Sequence, residues 1–106
     1  VGKPKCTDLN LKKEVLDLVK EGLVKACSTG GTGYPFFDWN SHIACKTGTA
    51  ETNEDGKTHA WFTLFYPSDF PEITLTVLVE GGGEGSSVAG PVARKIMDYW
   101  VTKGSI

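Results

Sequence analysis

Long apolar runs are missing from this chain. No stretch approaches the ~18 consecutive apolar residues that a membrane-crossing helix needs. Charge of one sign is missing too: 11 Lys and Arg stand against 13 Asp and Glu, for a formal net charge of −2. A nucleic-acid binder needs a basic face, so that class is set aside. Cysteine is sparse, at Cys6, Cys27 and Cys45. These spacings match no zinc pattern, and His42 and His59 lie at no ligand-like offset from them, so neither metal nor cofactor is expected. The odd count leaves at least one thiol without a partner in the chain. The start, Val1-Gly2-Lys3-Pro4, carries neither an initiator methionine nor a signal peptide and reads as a cut inside a longer protein. What is present is enough for a core: 106 residues, 40% hydrophobic and 10% aromatic, fit one domain, 1–106, with much of its surface still exposed.

Periodicity divides the chain. Residues 1–9 are polar, hold a proline and read as a linker. Leu11, Val15, Leu18, Val19, Leu23 and Ala26 form one stripe at offsets of three and four, which predicts an amphipathic helix from Asn10, its N-cap, to Ala26. The glycine loop 28–33 (STGGTG) ends it. An aromatic, irregular stretch, 34–42, follows. Three strands are predicted at 43–50, 59–66 and 72–80, with a hairpin signal at Asp55-Gly56 and a turn at 67–71. Short connections make neighbouring strands antiparallel. A flexible loop at 81–87 leads to a second helix, with Gly90 as N-cap, Pro91 in the first turn and a stripe of Val92, Ile96, Tyr99 and Trp100. Residues 102–106 read as a loose tail. The expected fold is α+β: a three-stranded antiparallel sheet with the N- and C-terminal helices packed on one face.

Several apparent motifs fail. Gly56-Lys57-Thr58 imitates the end of a phosphate-binding loop, but Glu51 stands where the first glycine belongs and a strand follows instead of a helix. The glycines at 81, 82, 83 and 85 do not complete a dinucleotide-binding turn, because Ser86 occupies the last position. Gly30-Gly31-Thr32-Gly33 reads as a helix C-cap and turn, and His59 as a hydrogen-bonded structural residue. Asp8, Glu14, Asp17 and Glu21 read as a solvated face.

Lys46-Thr47-Gly48-Thr49 is different because of its setting. IACKTGTAE at 43–51 is followed by a polar hairpin and HAWFTLFYP at 59–67. Then come an aliphatic strand, a glycine loop and a helix opening on Gly90-Pro91. Lys-Thr-Gly is a signature of penicillin-binding proteins and serine β-lactamases. Over residues 10–101 the order and spacing resemble the C-terminal part of the transpeptidase domain of class B penicillin-binding proteins, and the upstream Gly22-Leu23-Val24 and Gly31-Thr32-Gly33 resemble the segment preceding the motif there. One position departs: Cys45 stands where the family usually has glycine.

The resemblance implies a role for each residue of the motif. A rim strand pairs with an extended peptide as an added strand. Lys46 places a positive charge, and Thr47 and Thr49 place hydroxyls, at the terminal carboxylate of a peptidoglycan stem peptide or a β-lactam. Gly48 admits the substrate close to the backbone. The Thr49 N–H forms half of an oxyanion hole, and Lys46 and Thr49 are thus the catalytic candidates. Without the flanking match, the same strand is an ordinary edge whose lysine blocks aggregation. The family's nucleophile, a serine in Ser-x-x-Lys, is absent: Ser28, Ser41, Ser68, Ser86 and Ser87 are followed three residues on by Gly31, Ala44, Pro71, Ala89 and Gly90, and Ser105 is too near the end. Ser-x-Asn is absent too, and Asp38-Trp39-Asn40 is a poor substitute. The expectation is a docking part of a D,D-transpeptidase, inactive alone, whose partners are stem peptide and β-lactams through the complete parent domain, and the remainder of that domain. A fragment of a β-lactam sensor or β-lactamase, or a non-catalytic module of the same fold, are the alternatives. The implied extracytoplasmic address permits a disulfide. Cys27–Cys45 is the pair weighed, against free thiols, on the condition that their Cα atoms lie within ~7 Å. The sheet face away from the helices is expected to be apolar and to self-associate in the isolated chain.

Overall fold

The computed structural model describes residues 2–39 and 42–104. Its elements are α1 (Lys13–Ala26), a 3₁₀ turn (Tyr34–Phe36), β1 (Ala44–Glu51), β2 (Thr58–Tyr66), β3 (Ile73–Val79), a π-helical turn (Gly85–Ala89) and α2 (Gly90–Thr102). The three strands form one antiparallel sheet in the order β1-β2-β3. The expected class and strand order therefore hold. Asn40, Ser41, Ser105 and Ile106, which fall in the expected irregular stretch and loose tail, lie outside the described residues, as does Val1.

Alternation of side chains divides the sheet into two faces. Ala60, Phe62 and Leu64 of β2 are buried, and opposite them in register stand Thr49, Thr47 and Cys45 of β1 and Val79, Val77 and Leu75 of β3. This is the covered face, and α2 lies on it through Ala93 and Met97, both 0% exposed. The other face carries Lys46 and Gly48, then Trp61, Thr63 and Phe65, then Thr74, Thr76 and Leu78. Three threonines and a lysine interrupt its apolar groups, so it is less apolar than the sequence reading expected.

The helices correct that reading in three places. First, α2 does not bury Val92, Ile96 and Tyr99, which are 41%, 41% and 66% exposed. Its inner row is Gly90, Ala93 and Met97, with Trp100 partly buried. Small residues let the helix axis come close to the sheet: a Cβ on Gly90 would stand 2.8 Å from Pro35 Cγ and 3.3 Å from the Phe62 ring. A hydropathy stripe favours the larger residues and so selects the wrong side. Second, α1 buries none of its residues, although the amphipathic stripe is real; Leu18 and Val19 are 67% and 55% exposed. Only its last turn reaches the covered face, where Cys27 bonds Cys45 with the Cα atoms 5.8 Å apart. Pairs such as Lys13–Asp17 and Glu21–Lys25, four apart, support the exposed helix. Third, Asn10 does not cap α1. It adopts φ 52° and donates its N–H to Asp8 Oδ1, while Lys12 occupies the cap position.

The connections follow local chemistry. Gly56, at φ 74°, turns the β1–β2 hairpin, and Thr52 Oγ1 accepts the Glu54 N–H within it. The Gly56-Lys57-Thr58 triplet is thus a hairpin end. The expected flexible loop 81–87 is shorter than its glycines suggest, because Gly85 already begins the helical turn that runs into α2. Arg94 ties that helix to the 3₁₀ turn and the residues just after it, donating from Nη1 to the Pro35 carbonyl at 2.7 Å and to Asp38 Oδ1 at 2.6 Å. Trp39 Nε1 donates to Asp98 Oδ1. The hydrogen bond from Arg94 holds the Asp38 carboxyl below its ordinary value, and the same bond raises Arg94. Asp38 and Trp39 are thereby committed to structure.

Candidate substrate-docking strand

β1 pairs on one side only, so half of its backbone groups point away from the sheet. Flanking hydrogen bonds fix which half. Thr58 and Tyr66, at the two ends of β2, give their carbonyls to Gly83 N and Glu72 N on the β3 side. Even-numbered residues of β2 therefore turn toward β3, and odd-numbered ones toward β1. The hydrogen-bonded pairs of the β1–β2 ladder are then Lys46 with Thr63 and Gly48 with Trp61. By the same alternation, the N–H and C=O of Cys45, Thr47, Thr49 and Glu51 face the free edge. The Thr49 N–H singled out in the sequence is one of these outward groups.

The side chains of the motif divide between the two faces. Lys46 and Gly48 lie on the open face, beside a shallow groove also lined by Trp61, Thr63 and Thr76. Lys46 is exposed and its Nζ donates to the Thr47 carbonyl at 2.6 Å, which keeps the ammonium at the strand edge. A Cβ at Gly48 would stand 3.2 Å from Trp61 Cβ, a tight contact that a side chain here would relieve only by shifting Trp61 by a few tenths of an ångström. Thr47 and Thr49 lie on the covered face. The Thr47 hydroxyl donates to Thr32 Oγ1 at 3.0 Å, and Thr49 Oγ1 accepts the Gly85 N–H at 3.3 Å. The edge thus has an ammonium on one side, two hydroxyls on the other, and free amides between them. That arrangement suits an extended, anionic ligand lying along the edge.

Three residues that hold this strand were not singled out in the sequence. Because Gly48 and Trp61 both point to the open face, they leave bare backbone on the covered one. Gly85 rests on it: a Cβ there would stand 2.3 Å from Trp61 O and 2.5 Å from Gly48 O. Trp61, opposite Gly48, follows from counting the hairpin register once its turn is placed. Thr32 sits in a loop whose glycines read as simple punctuation. Cys45 was recognised as a departure, and its sulfur now anchors α1 to the residue before Lys46. His59 accepts the Gly81 N–H at Nδ1 and is a structural residue. Among the described residues, no group of His, Cys, Asp and Glu is arranged to hold a metal ion, and no helix is long and apolar enough to cross a membrane.

Comparison with known proteins decides the family. Residues 1–98 match the family model for the penicillin-binding protein transpeptidase domain. The chain belongs to this family. It is 37% identical over 113 residues to the peptidoglycan D,D-transpeptidase MrdA of Haemophilus influenzae, across 91% of this chain and 17% of that protein. Against the peptidoglycan D,D-transpeptidase PbpA of Mycolicibacterium smegmatis it is 38% identical over 71 residues, 59% of this chain and 14% of the other. Solved structures agree. PBP2 of Pseudomonas aeruginosa in complex with WCK 5153 superimposes with a TM-score of 0.68 at 36% identity, over 79% of this chain and 18% of that one. PBP2 of Helicobacter pylori in complex with MreC gives 0.75 at 32%, over 89% and 18%. The chain spans less than a fifth of the length of these relatives. Within a penicillin-binding transpeptidase domain of class B, β1 is the segment that carries Lys46-Thr47-Gly48-Thr49.

Proposed function

We propose that this chain is the docking part of a peptidoglycan D,D-transpeptidase, and that its β1 edge receives the carboxylate-terminated end of a stem peptide or the carboxylate of a β-lactam. The observation that carries this reading is the outward Thr49 N–H between the Lys46 ammonium and the Thr47 and Thr49 hydroxyls. In the complete enzyme a serine attacks the penultimate D-Ala carbonyl, D-Ala leaves, and the amine of a neighbouring strand takes the acyl group. The Thr49 N–H then stabilises the oxyanion; one such donor contributes roughly 3 kcal/mol of barrier lowering. The groups on β1 bind and polarise, while the nucleophile and its base belong to Ser-x-x-Lys, which these 106 residues do not contain. The reaction places the working enzyme outside the cytoplasmic membrane, and the remainder of the transpeptidase domain is the partner that completes the site.

Titration of the ¹⁵N-labelled chain with N-acetyl-D-alanyl-D-alanine tests the reading. Amide shifts should concentrate at residues 45–51, with a dissociation constant on the order of millimolar, about −4 kcal/mol. Lys46→Ala should weaken binding severalfold, and added salt should weaken the wild type, since the contact is an exposed ion pair worth about 1 kcal/mol or less. Shifts scattered away from β1, or no effect of Lys46→Ala, would sink the proposal.

Covalent chemistry is a separate readout. Incubation with a labelled penicillin should leave the intact mass of the chain unchanged, because no activated serine is present. A stoichiometric adduct on any serine would place the whole site within these residues and overturn the docking-only assignment.

A further inference from the structure

The geometry points to Thr32 as a positioning residue for the Thr47 hydroxyl, and through it for the carboxylate that the β1 edge receives; the second half of this inference rests on the docking reading above. The loop that brings Thr32 there has little freedom. After α1, the Gly31 N–H donates to Ser28 O and the Gly33 N–H to Ala26 O at 2.9 and 2.7 Å. Both glycines are pressed against neighbours. A Cβ on Gly31 would stand 2.4 Å from Ala26 O, and one on Gly33 would stand 2.6 Å from Cys45 Sγ and 2.9 Å from Cys27 Sγ. Between two positions that admit no side chain, Thr32 projects the one side chain available, and its Oγ1 meets Thr47 Oγ1 at 3.0 Å.

Chemistry gives that contact a direction that can reverse. Each hydroxyl has one donor hydrogen and two acceptor lone pairs, and its hydrogen rotates to suit its neighbours. With no anion at the edge, Thr47 donates to Thr32. With a carboxylate present, Thr47 O–H turns to it, and Thr32 O–H donates to the oxygen that Thr47 has freed. The two hydroxyls then form a chain ending on the anion, in which each bond polarises the next. Thr32 also restricts Thr47 to the side-chain rotamer that keeps its oxygen within 3.0 Å. Lys46 is held from the other face by its bond to the Thr47 carbonyl, so one residue of the strand is gripped from both sides.

The variants are Thr32→Val, which keeps the shape and removes the hydroxyl, and Thr32→Ser, which restores it. With N-acetyl-D-alanyl-D-alanine as the probe, Thr32→Val should raise the dissociation constant about fivefold, as expected for one hydrogen bond, and Thr32→Ser should stay within about twofold of wild type. A ligand-free readout accompanies this. Three-bond couplings across the Thr47 Cα–Cβ bond should report a single rotamer in the wild type and in Thr32→Ser, and averaging in Thr32→Val. Thr32 is exposed, so the melting temperature should barely move. If Thr32→Val matches the wild type in affinity and in Thr47 couplings while Lys46→Ala still weakens binding, this inference alone is overturned. If the wild type shows no shifts on β1 at all, the docking reading falls and takes the carboxylate half of this inference with it. In that case unchanged Thr47 couplings in Thr32→Val overturn the positioning half as well, and averaged ones uphold it.

Discussion

Replacing Phe62 with alanine should lower the unfolding free energy by about 4 kcal/mol, the range for deleting a buried aromatic ring. Phe62 is 0% exposed in the middle of β2, stacked on Phe36 with ring centroids 5.5 Å apart and an interplanar angle of 26°. Its in-register neighbours are Thr47 on β1 and Val77 on β3, and Gly90 of α2 sits over its ring. One side chain therefore joins the central strand, the aromatic turn and the C-terminal helix. Collapse around the vacancy is hindered, because the backbones on two sides belong to the hydrogen-bonded sheet. Urea unfolding followed by circular dichroism should show a lower midpoint with an unchanged slope. A loss below about 1 kcal/mol would mean that the cavity fills or that the ring is not in a dry core.

Removing the Cys27–Cys45 bond should cost about 3 kcal/mol, the chain-entropy value for a loop of this size. The two cysteines are 18 residues apart, and the loop between them contains the glycine turn and the aromatic 3₁₀ turn. In the unfolded chain the bond forbids most arrangements of that loop; in the folded one it costs little order that packing has not already imposed on Cys27, Phe36, Ile43 and Cys45, all buried in the core. For a domain of this size the melting temperature should fall by roughly 15 °C. The measurement is differential scanning calorimetry of Cys27→Ala/Cys45→Ala, in a Cys6→Ser background that removes the exposed free thiol. Equal midpoints for this variant and its parent would show that the bond does not form in solution or does not constrain the unfolded state.

Strands were the legible part of the sequence because their signals are local. Aromatic and threonine content marked β2, alternation marked β3, a glycine turn fixed the hairpin, and short connections left only antiparallel neighbours. The motif on β1 was legible through its flanks. What escaped detection depends on packing distance. Gly85, Gly90 and Ala93 contribute almost nothing to a hydropathy pattern, yet they set how near α2 comes to the sheet. α1 misled for the opposite reason: its stripe is strongly patterned, but only its last turn, at Ala26, packs against the core, and the rest of the stripe stays exposed. The Cys27–Cys45 pairing had to remain conditional in the sequence, since spacing along a chain does not give the separation of two Cα atoms. Thr32 was hidden because a threonine among glycines looks like any turn residue until the strand beside it is in place.

α1 also has a bearing on cooperativity. A 14-residue helix in water is marginal by itself, and this one buries no residue of its own. Its covalent tie to the sheet is at one end, through the residue after Ala26. The chain is therefore built of two tiers: the sheet, α2 and the segment 27–39 form the unit that melts together, while the N-terminal turns of α1 are free to open and close on their own without disturbing β1. Global unfolding energies measured on these 106 residues belong to the first tier alone, and the docking edge is part of that tier.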